Sequence, residues 1–445
     1  MTRSAPHQDA ALEPIPPLAP EQQAVYDAIE TTNTHLFVTG RAGTGKSTLL
    51  NFLAANTSKK LAICAPTGVA ALNVGGQTIH SLFRLPIGVI AQNTIAQTSS
   101  LRQLLGALET LVIDEVSMVN ADLLDAIDRS LRQARQRPAE AFGGVQVVLF
   151  GDPYQLSPVP GEADERAYFA DHYRSMWFFD AKVWDDTELT IYELSIIHRQ
   201  HEEEFKYLLT AVRHGSVTAE IAGRLNEVGA RPRPADDAIT LASTNGTVTR
   251  INAAALARLP GRVLTARAEV SGDFGRGAYP ADEALELKIG ARVMFLRNDT
   301  MSGGDEPRWV NGSMGVVSKI DANVWVDIDD VRHEVKPVLW EKFRYNYSPL
   351  TKALRKDVVG EFTQFPLRLA WAITIHKSQG KTYDRAIIDL GERAFAPGQT
   401  YVALSRISAL DGLYLTRPLR PGDIIVDEDV LRFMGRARAI PAILA

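Results

Sequence analysis

The chain has 445 residues, 48 Lys+Arg against 53 Asp+Glu, a formal net charge of −5 and 45% apolar residues. That length exceeds one ordinary domain and suits about two to four with sizeable cores, while the near balance of charge excludes a global basic field, leaving any polyanion to a local groove. The one cysteine, Cys64, excludes an intramolecular disulfide and a thiolate cluster, and "MTRSAPHQDAALEPIPPLAP" lacks the apolar stretch of a secretion signal. With no uninterrupted apolar span of bilayer length, a cytoplasmic, membrane-free setting is expected.

Residues 1–16, rich in Ala, Pro and polar side chains, read as a flexible lead-in, and helical spacing begins in "PEQQAVYDAIETT". Short apolar runs follow, "HLFVTG", "KLAICAP", "TLVIDE", "VQVVLFGD" and "ELTIYEL", separated by helical patterns such as "SLRQLLGALE" and "NADLLDAIDRSLRQAR". Such alternation predicts a doubly wound parallel sheet, an α/β unit over residues 17–185. A second set opens near residue 186 with "EEEFKYLLTAVRHG", "AITLAST" and "GTVTRINAAALARL", spans 186–264, and resumes over 361–430 with "LRLAWAITIHKSQG", "RAIIDLG" and "GLYLTRPL". Between them, over 265–360, Gly-punctuated segments such as "RWVNGSMGVVSKI" and "NVWVDIDDVRHEVKPV" predict a small β-barrel inserted into the second unit. Residues 431–445 read as a helix and tail, and no fixed-period repeat is present.

The strongest local signal is "GRAGTGKS", residues 40–47, which matches the phosphate loop G-x-x-x-x-G-K-[ST] between strand "HLFVT" and helix "STLLNFLAAN". Glycines let backbone N–H groups wrap phosphates, the helix dipole adds to them, Lys46 reaches the β- and γ-phosphates and the Ser47 hydroxyl suits magnesium. ATP and Mg2+ are the expected cofactors. In "TLVIDEVSM" the strand ends on Asp114 and Glu115, at the carboxyl edge where open α/β sheets hold ligands. Asp114 suits magnesium and Glu115 the activation of water, which favours hydrolysis over transfer to a small acceptor. In "VVLFGDPYQLSPV", Gln155 stands where it can sense the γ-phosphate, although Gly-Asp-Pro is equally good turn chemistry and leaves that motif open by itself. Arg406 in the apolar "YVALSRI" first reads as a packed helix whose guanidinium snorkels to water.

Taken in order, "GRAGTGKS", "APTGVAALNVGGQTIHSLF", "LVIDEVSM", "FGGVQVVLFGDPYQLSPV", "IHRQ", "LAWAITIHKSQGKTYDRAIIDLG" and "YVALSRI" resemble the motif set of superfamily one DNA helicases, most of all the petite-integration-frequency (Pif) branch in its bacterial type. RecD-like helicases share much of this pattern and are the nearest resemblance to set against it. The motifs run from about residue 18 to residue 414. The resemblance implies two RecA-like P-loop domains, 1A at 17–185 with a short wedge insertion near 84–105 and 2A in two pieces, with an SH3-like β-barrel, 2B, at 265–360. It implies an ATP-dependent 5'-to-3' helicase, monomeric, acting on single-stranded, forked or G-quadruplex DNA, in a family associated with DNA repair, recombination and telomere maintenance. The alternative is a DNA-stimulated ATPase subunit of a RecD-like nuclease or remodelling complex.

The resemblance also assigns roles. Gln22 matches the glutamine that reads adenine, its neighbour Gln23 being the competitor; Gly43, Thr44, Gly45, Lys46, Ser47 and Thr48 hold the phosphates, Ser47 and Asp114 the metal, and Glu115 is the base. Gln155 couples γ-phosphate to DNA, Arg199 in "IIHRQ" and Arg406 reach the γ-phosphate from the second unit, and Gln379 and Gly380 meet nucleotide on one side and DNA on the other. Arginine suits that task because its planar fork neutralises charge spreading over the equatorial oxygens. Candidate strand contacts are Thr67, His80, Phe83, Pro158, His376 and Lys377, each of which packing alone would also explain.

Overall fold

In the computed structural model, residues 17–86, 88–90, 97–158, 163–196, 202–232, 238–299, 308–348 and 353–435 are described. The five apolar runs of the N-terminal half, together with the short segment Gln77–Thr78, become the strands of one sheet: β1 (His35–Gly40), β2 (Leu61–Ala65), β3 (Gln77–Thr78), β4 (Thr110–Ile113), β5 (Gln146–Phe150) and β6 (Leu189–Leu194). They lie in the order β3-β2-β4-β5-β1-β6, all parallel. The helices are α1 (Pro20–Thr31), α2 (Lys46–Asn56), α3 (Gly68–Asn73), α4 (Ile79–Phe83), α5 (Ser99–Ala107), α6 (Ala121–Arg135) and α7 (Ala163–His172).

Side chains alternate across a strand, so a parallel sheet needs cover on both faces. Leu36, Val38, Val112 and Val148 meet Val25 and Ile29 of α1 and Leu49, Leu50 and Leu53 of α2. Their neighbours Phe37, Leu111, Ile113 and Leu149 meet Leu101, Leu104 and Leu105 of α5 and Leu124, Ile127 and Leu131 of α6. Each such side chain contributes roughly 1.5–3 kcal/mol on burial. Cys64 of β2 is buried, its Sγ 3.5 Å from the Val112 carbonyl oxygen, and burial pushes its thiol pKa up.

The second unit begins with α8 (Glu203–His214), α9 (Ala219–Gly229), β7 (Ile239–Ala242) and α10 (Asn245–Arg258). The chain then leaves it through β8 (Leu264–Arg267), β9 (Glu269–Gly272), β10 (Ala284–Leu287), β11 (Arg292–Phe295), β12 (Met314–Ile320), β13 (Val324–Ile328), β14 (Val331–Val335), β15 (Val338–Ser348), β16 (Ala353–Gln364) and β17 (Leu367–Leu369). It returns with β18 (Ala372–Thr374), β19 (Ala386–Asp389), α11 (Gln399–Leu404), β20 (Leu413–Leu415) and α12 (Glu428–Met434), closing a parallel sheet of order β18-β7-β19-β20.

Three expectations change. The strand in "ELTIYEL" is β6, hydrogen-bonded to β1 along its whole length, so the first unit extends past residue 186 to at least Leu194. The inserted region is more than one small barrel: an antiparallel sheet β14-β13-β12-β11-β17 has its own core around Val293, Phe295, Trp309, Val317 and Val326, β8 pairs with β10, and β15-β16-β9 form a separate sheet. Its end moves from 360 to Leu369, because β17 completes the five-stranded sheet beside β11. The long β15–β16 hairpin turns back onto the first unit, where Gln77 Nε2 donates to the Phe343 carbonyl. Within the stretch expected as a wedge, Leu85, Ile90, Leu101 and Leu104 are buried in the core of the first unit, while residues 87 and 91–96 lie outside the described ones. The lead-in 1–16 and the tail from 436 also lie outside them. No helix among the described residues is long and apolar enough to cross a membrane.

Candidate active site

Between β1 and α2 the phosphate loop turns through Gly43 (φ 83°) and Gly45 (φ 80°), left-handed conformations that glycine adopts without strain. Gly45 caps α2 with no side chain, so the positive end of the helix faces the loop. Lys46 Nζ donates to the carbonyls of Gly40 (2.7 Å) and Arg41 (3.1 Å), and Thr44 Oγ1 donates to Arg41 (3.0 Å). Burial lowers the Lys46 pKa, and the nearby carboxylates of Asp152 and Glu115 oppose that shift. Ser47 and Thr48 open the first turn of α2. Gln22 is buried and ties α1 to the loop, accepting from Ala19 N at 2.8 Å and donating to the Gly45 carbonyl at 3.1 Å. Gln23 points elsewhere, donating to Asp27 at 2.8 Å on an exposed face.

Asp114 and Glu115 follow β4 directly. Burial, then the Glu115 charge, pushes the Asp114 carboxyl up to about 7; burial also raises Glu115, against the pull of Lys46. Glu115 has φ 50° and ψ 42°, a left-handed backbone that a residue with Cβ rarely adopts. Two desolvated acids beside the first turn of α2, with the Ser47 hydroxyl at hand, form an oxygen donor set that suits Mg2+ together with phosphate oxygens.

The second unit reaches the same cleft. Arg406 is 2% exposed, its Nε donating to the Val402 carbonyl (3.1 Å) and Nη2 to Ser405 Oγ (2.8 Å), and its charge acts on Glu115. Gln379 Nε2 donates to Gln155 Oε1 at 3.4 Å, and Gly380 turns at φ 75° beside it. Arg199 lies outside the described residues.

Three residues that link the two units at the cleft escaped sequence reasoning. Asp152 Oδ1 accepts from Arg213 Nη2 at 3.2 Å and Oδ2 from the Tyr401 hydroxyl at 3.3 Å; that hydroxyl in turn accepts from Ala42 N of the phosphate loop, also at 3.3 Å. Asp152 sits in a turn motif and Arg213 on an amphipathic helix, so neither announces a partner in the sequence. Tyr401 stands in "YVALSRI", where it reads as packing.

The expected strand contacts are less uniform. Thr67 caps α3, accepting from Ala70 N at 3.2 Å, and Pro158 is buried. His80 and His376 are partly buried, which lowers both pKa values, and Lys377 follows His376 at the turn carrying Gln379. Phe83 is corrected: at 1% exposure it packs with Ile79 and Leu82 in the core and offers no face to a base.

A phosphate loop with two acids is common to many ATPases; what narrows the class is a second parallel sheet closing on the same loop. Fold and site define a P-loop ATPase with two RecA-like units. A family model described as PIF1-like helicase matches residues 17–222. The ATP-dependent DNA helicase Pif1 of Bdellovibrio bacteriovorus is 34% identical over 430 residues, spanning 94% of this chain and 91% of that protein. Pif1 from Bacteroides sp in complex with ADP-AlF4 superposes with TM-score 0.86 at 36% identity, over 94% of this chain and 96% of that one. The Bacteroides Pif1 complex with ADP-AlF3 and single-stranded DNA gives TM-score 0.68 at 37% identity, with the same coverage. The chain belongs to the PIF1-like helicase family and is an ATP-hydrolysing helicase.

Proposed function

We propose that the protein moves 5'-to-3' along single-stranded DNA and unwinds duplex ahead of it by repeated closure of the cleft between two RecA-like domains. The observation that supports this most is the Gln155–Gln379 contact, 3.4 Å, which joins the turn after β5 to the loop bearing His376 and Lys377. A change at the phosphate is thereby passed to a side chain beside the strand.

In this reading Gln22 reads adenine, the loop from Gly43 to Thr48 cradles phosphates, and Ser47 with Asp114 holds Mg2+, which supplies charge neutralisation to the phosphoryl oxygens when bound. Glu115 accepts the proton of the attacking water. Arg406, joined by Arg199, neutralises the charge developing on the γ-phosphate, so hydrolysis needs the second domain in place. Domain 1A takes β1–β6, 2A takes the β7 sheet, and the inserted sheets take the place of the SH3-like 2B. Thr67, His80, Pro158, His376 and Lys377 are assigned to the strand's groove, and the working unit is a monomer on forked or G-quadruplex DNA.

Purified protein on forks with either a 5' or a 3' single-stranded tail tests this directly. Unwinding of the 5'-tailed fork alone is expected. Preference for the 3' tail overturns the polarity, and ATP turnover stimulated by single strands without unwinding of either fork favours a switch or remodelling subunit.

A further inference from the structure

A buried polar cluster outside the catalytic pair lies where the two α/β units meet. Asp152, with its side chain fully buried, has four donors: Tyr154 N (3.2 Å), Arg213 Nη2 (3.2 Å), Gln155 Nε2 (3.4 Å) and the Tyr401 hydroxyl (3.3 Å). Arg213 is 2% exposed; its Nη1 reaches Glu193 of β6 at 3.1 Å and its guanidinium lies 4.2 Å from the Tyr154 ring centre. Asp152, Tyr154 and Glu193 belong to the first unit, Arg213 and Tyr401 to α8 and α11 of the second. The cluster is thus a buried junction between the units, and separating them would strip an ion pair of its partner.

We infer that Asp152, Arg213 and Tyr401 are positioning residues that seat α11 on the phosphate loop and so aim Arg406. Tyr401 carries the connection, since its single oxygen accepts from Ala42 N and donates to Asp152, joining phosphate loop, Gln155 turn and α11 at one atom. Arg406 Nε is held by the carbonyl of Val402, the residue after Tyr401, so the orientation of α11 passes directly to the guanidinium. At the other end of α11, a Cβ on Gly398 would stand 2.3 Å from the Gln155 carbonyl oxygen and 2.5 Å from that of Tyr154, which shows how closely helix and turn are seated. None of the three needs to touch ATP for this. The inference rests on the reading of Arg406 as the γ-phosphate arginine.

Tyr401→Phe removes only the oxygen. The expected result is a fall in DNA-stimulated kcat of about tenfold, with KM for ATP changed by less than about twofold and the melting temperature of the full chain unaltered. In an Arg406→Ala background the same change should have no further effect on kcat, because both act through one group. Asp152→Asn, which keeps the shape but leaves the buried Arg213 without its charged partner, should lower kcat as well, at a cost in melting temperature that Tyr401→Phe does not carry. Normal kcat in Tyr401→Phe beside an inactive Arg406→Ala overturns the inference. So does a loss that multiplies with that of Arg406→Ala, or one that follows a lowered melting temperature. Near-normal turnover in Arg406→Ala alone would instead defeat the reading of Arg406.

Discussion

At the scale of single residues, the charges in the cleft give the clearest expectations. Lys46→Ala should abolish ATP turnover, because it removes the ammonium that the phosphate loop holds at the Gly40 and Arg41 carbonyls to meet the phosphates. Arg406→Ala should still bind ATP, read by a fluorescent analogue, while DNA-stimulated turnover falls by roughly a thousandfold or more, the usual scale for an arginine finger. Away from the cleft, His35 is buried between Phe142 and Trp184, its Nδ1 accepting from Val147 N at 3.1 Å, and burial holds its pKa at about 4. The unfolded chain takes up a proton near pH 6.5 that the folded one refuses, so stability falls as pH drops from about 6.5 toward 4. About 2 kcal/mol should be lost by pH 5, seen as a lower urea midpoint than at pH 7, and the loss should shrink in His35→Asn.

Elements carry a different kind of constraint. Gly398 precedes α11 with φ 74° and no room for a methyl group against two backbone oxygens, whereas Gly223, inside α9, meets nothing within 4 Å. Gly398→Ala should therefore destabilise by roughly 1–3 kcal/mol and lower turnover. Gly223→Ala should raise stability by about 0.5–1 kcal/mol at unchanged turnover, and thermal melts with ATPase assays separate the two. The strands of the parallel sheets were legible in the sequence where each is a continuous apolar run with a turn at its end; the two-residue β3, Gln77–Thr78, has no such run and was not. Nor was the boundary after β6: "ELTIYEL" reads with the first set of runs, but only its pairing with β1 along its whole length shows that the first unit runs past residue 186. Likewise Phe83 beside His80 resembles a stacking platform in one dimension, and only the fold shows it turned inward. The phosphate loop and acids were legible because their spacing is itself the chemistry, while the Asp152–Arg213 pair, 61 residues apart in sequence, is created by the docking of two units.

For the whole molecule, nucleotide should act as a clamp. A ligand held by both units stabilises the folded state by about 2.7 kcal/mol at a hundred times its Kd, so a slowly hydrolysed ATP analogue with magnesium should raise the melting temperature of the wild type. Lys46→Ala should show little of that rise, and chelation of magnesium should remove both the rise and the turnover. The inserted sheets join this behaviour through the β15–β16 hairpin, whose Phe343 carbonyl is bonded by Gln77 of the first unit, so the insertion, which interrupts the second unit in sequence, also contacts the first.

The buried Cys64 has a practical consequence for watching that cleft. It is the one cysteine of the chain, and its thiol is held protonated in the sheet beside the phosphate loop. Maleimide dyes react with thiolates, so they should pass it by in the folded protein. A cysteine introduced on each unit can then be labelled in the native background, and energy transfer between the two dyes would time each opening and closing as the motor runs.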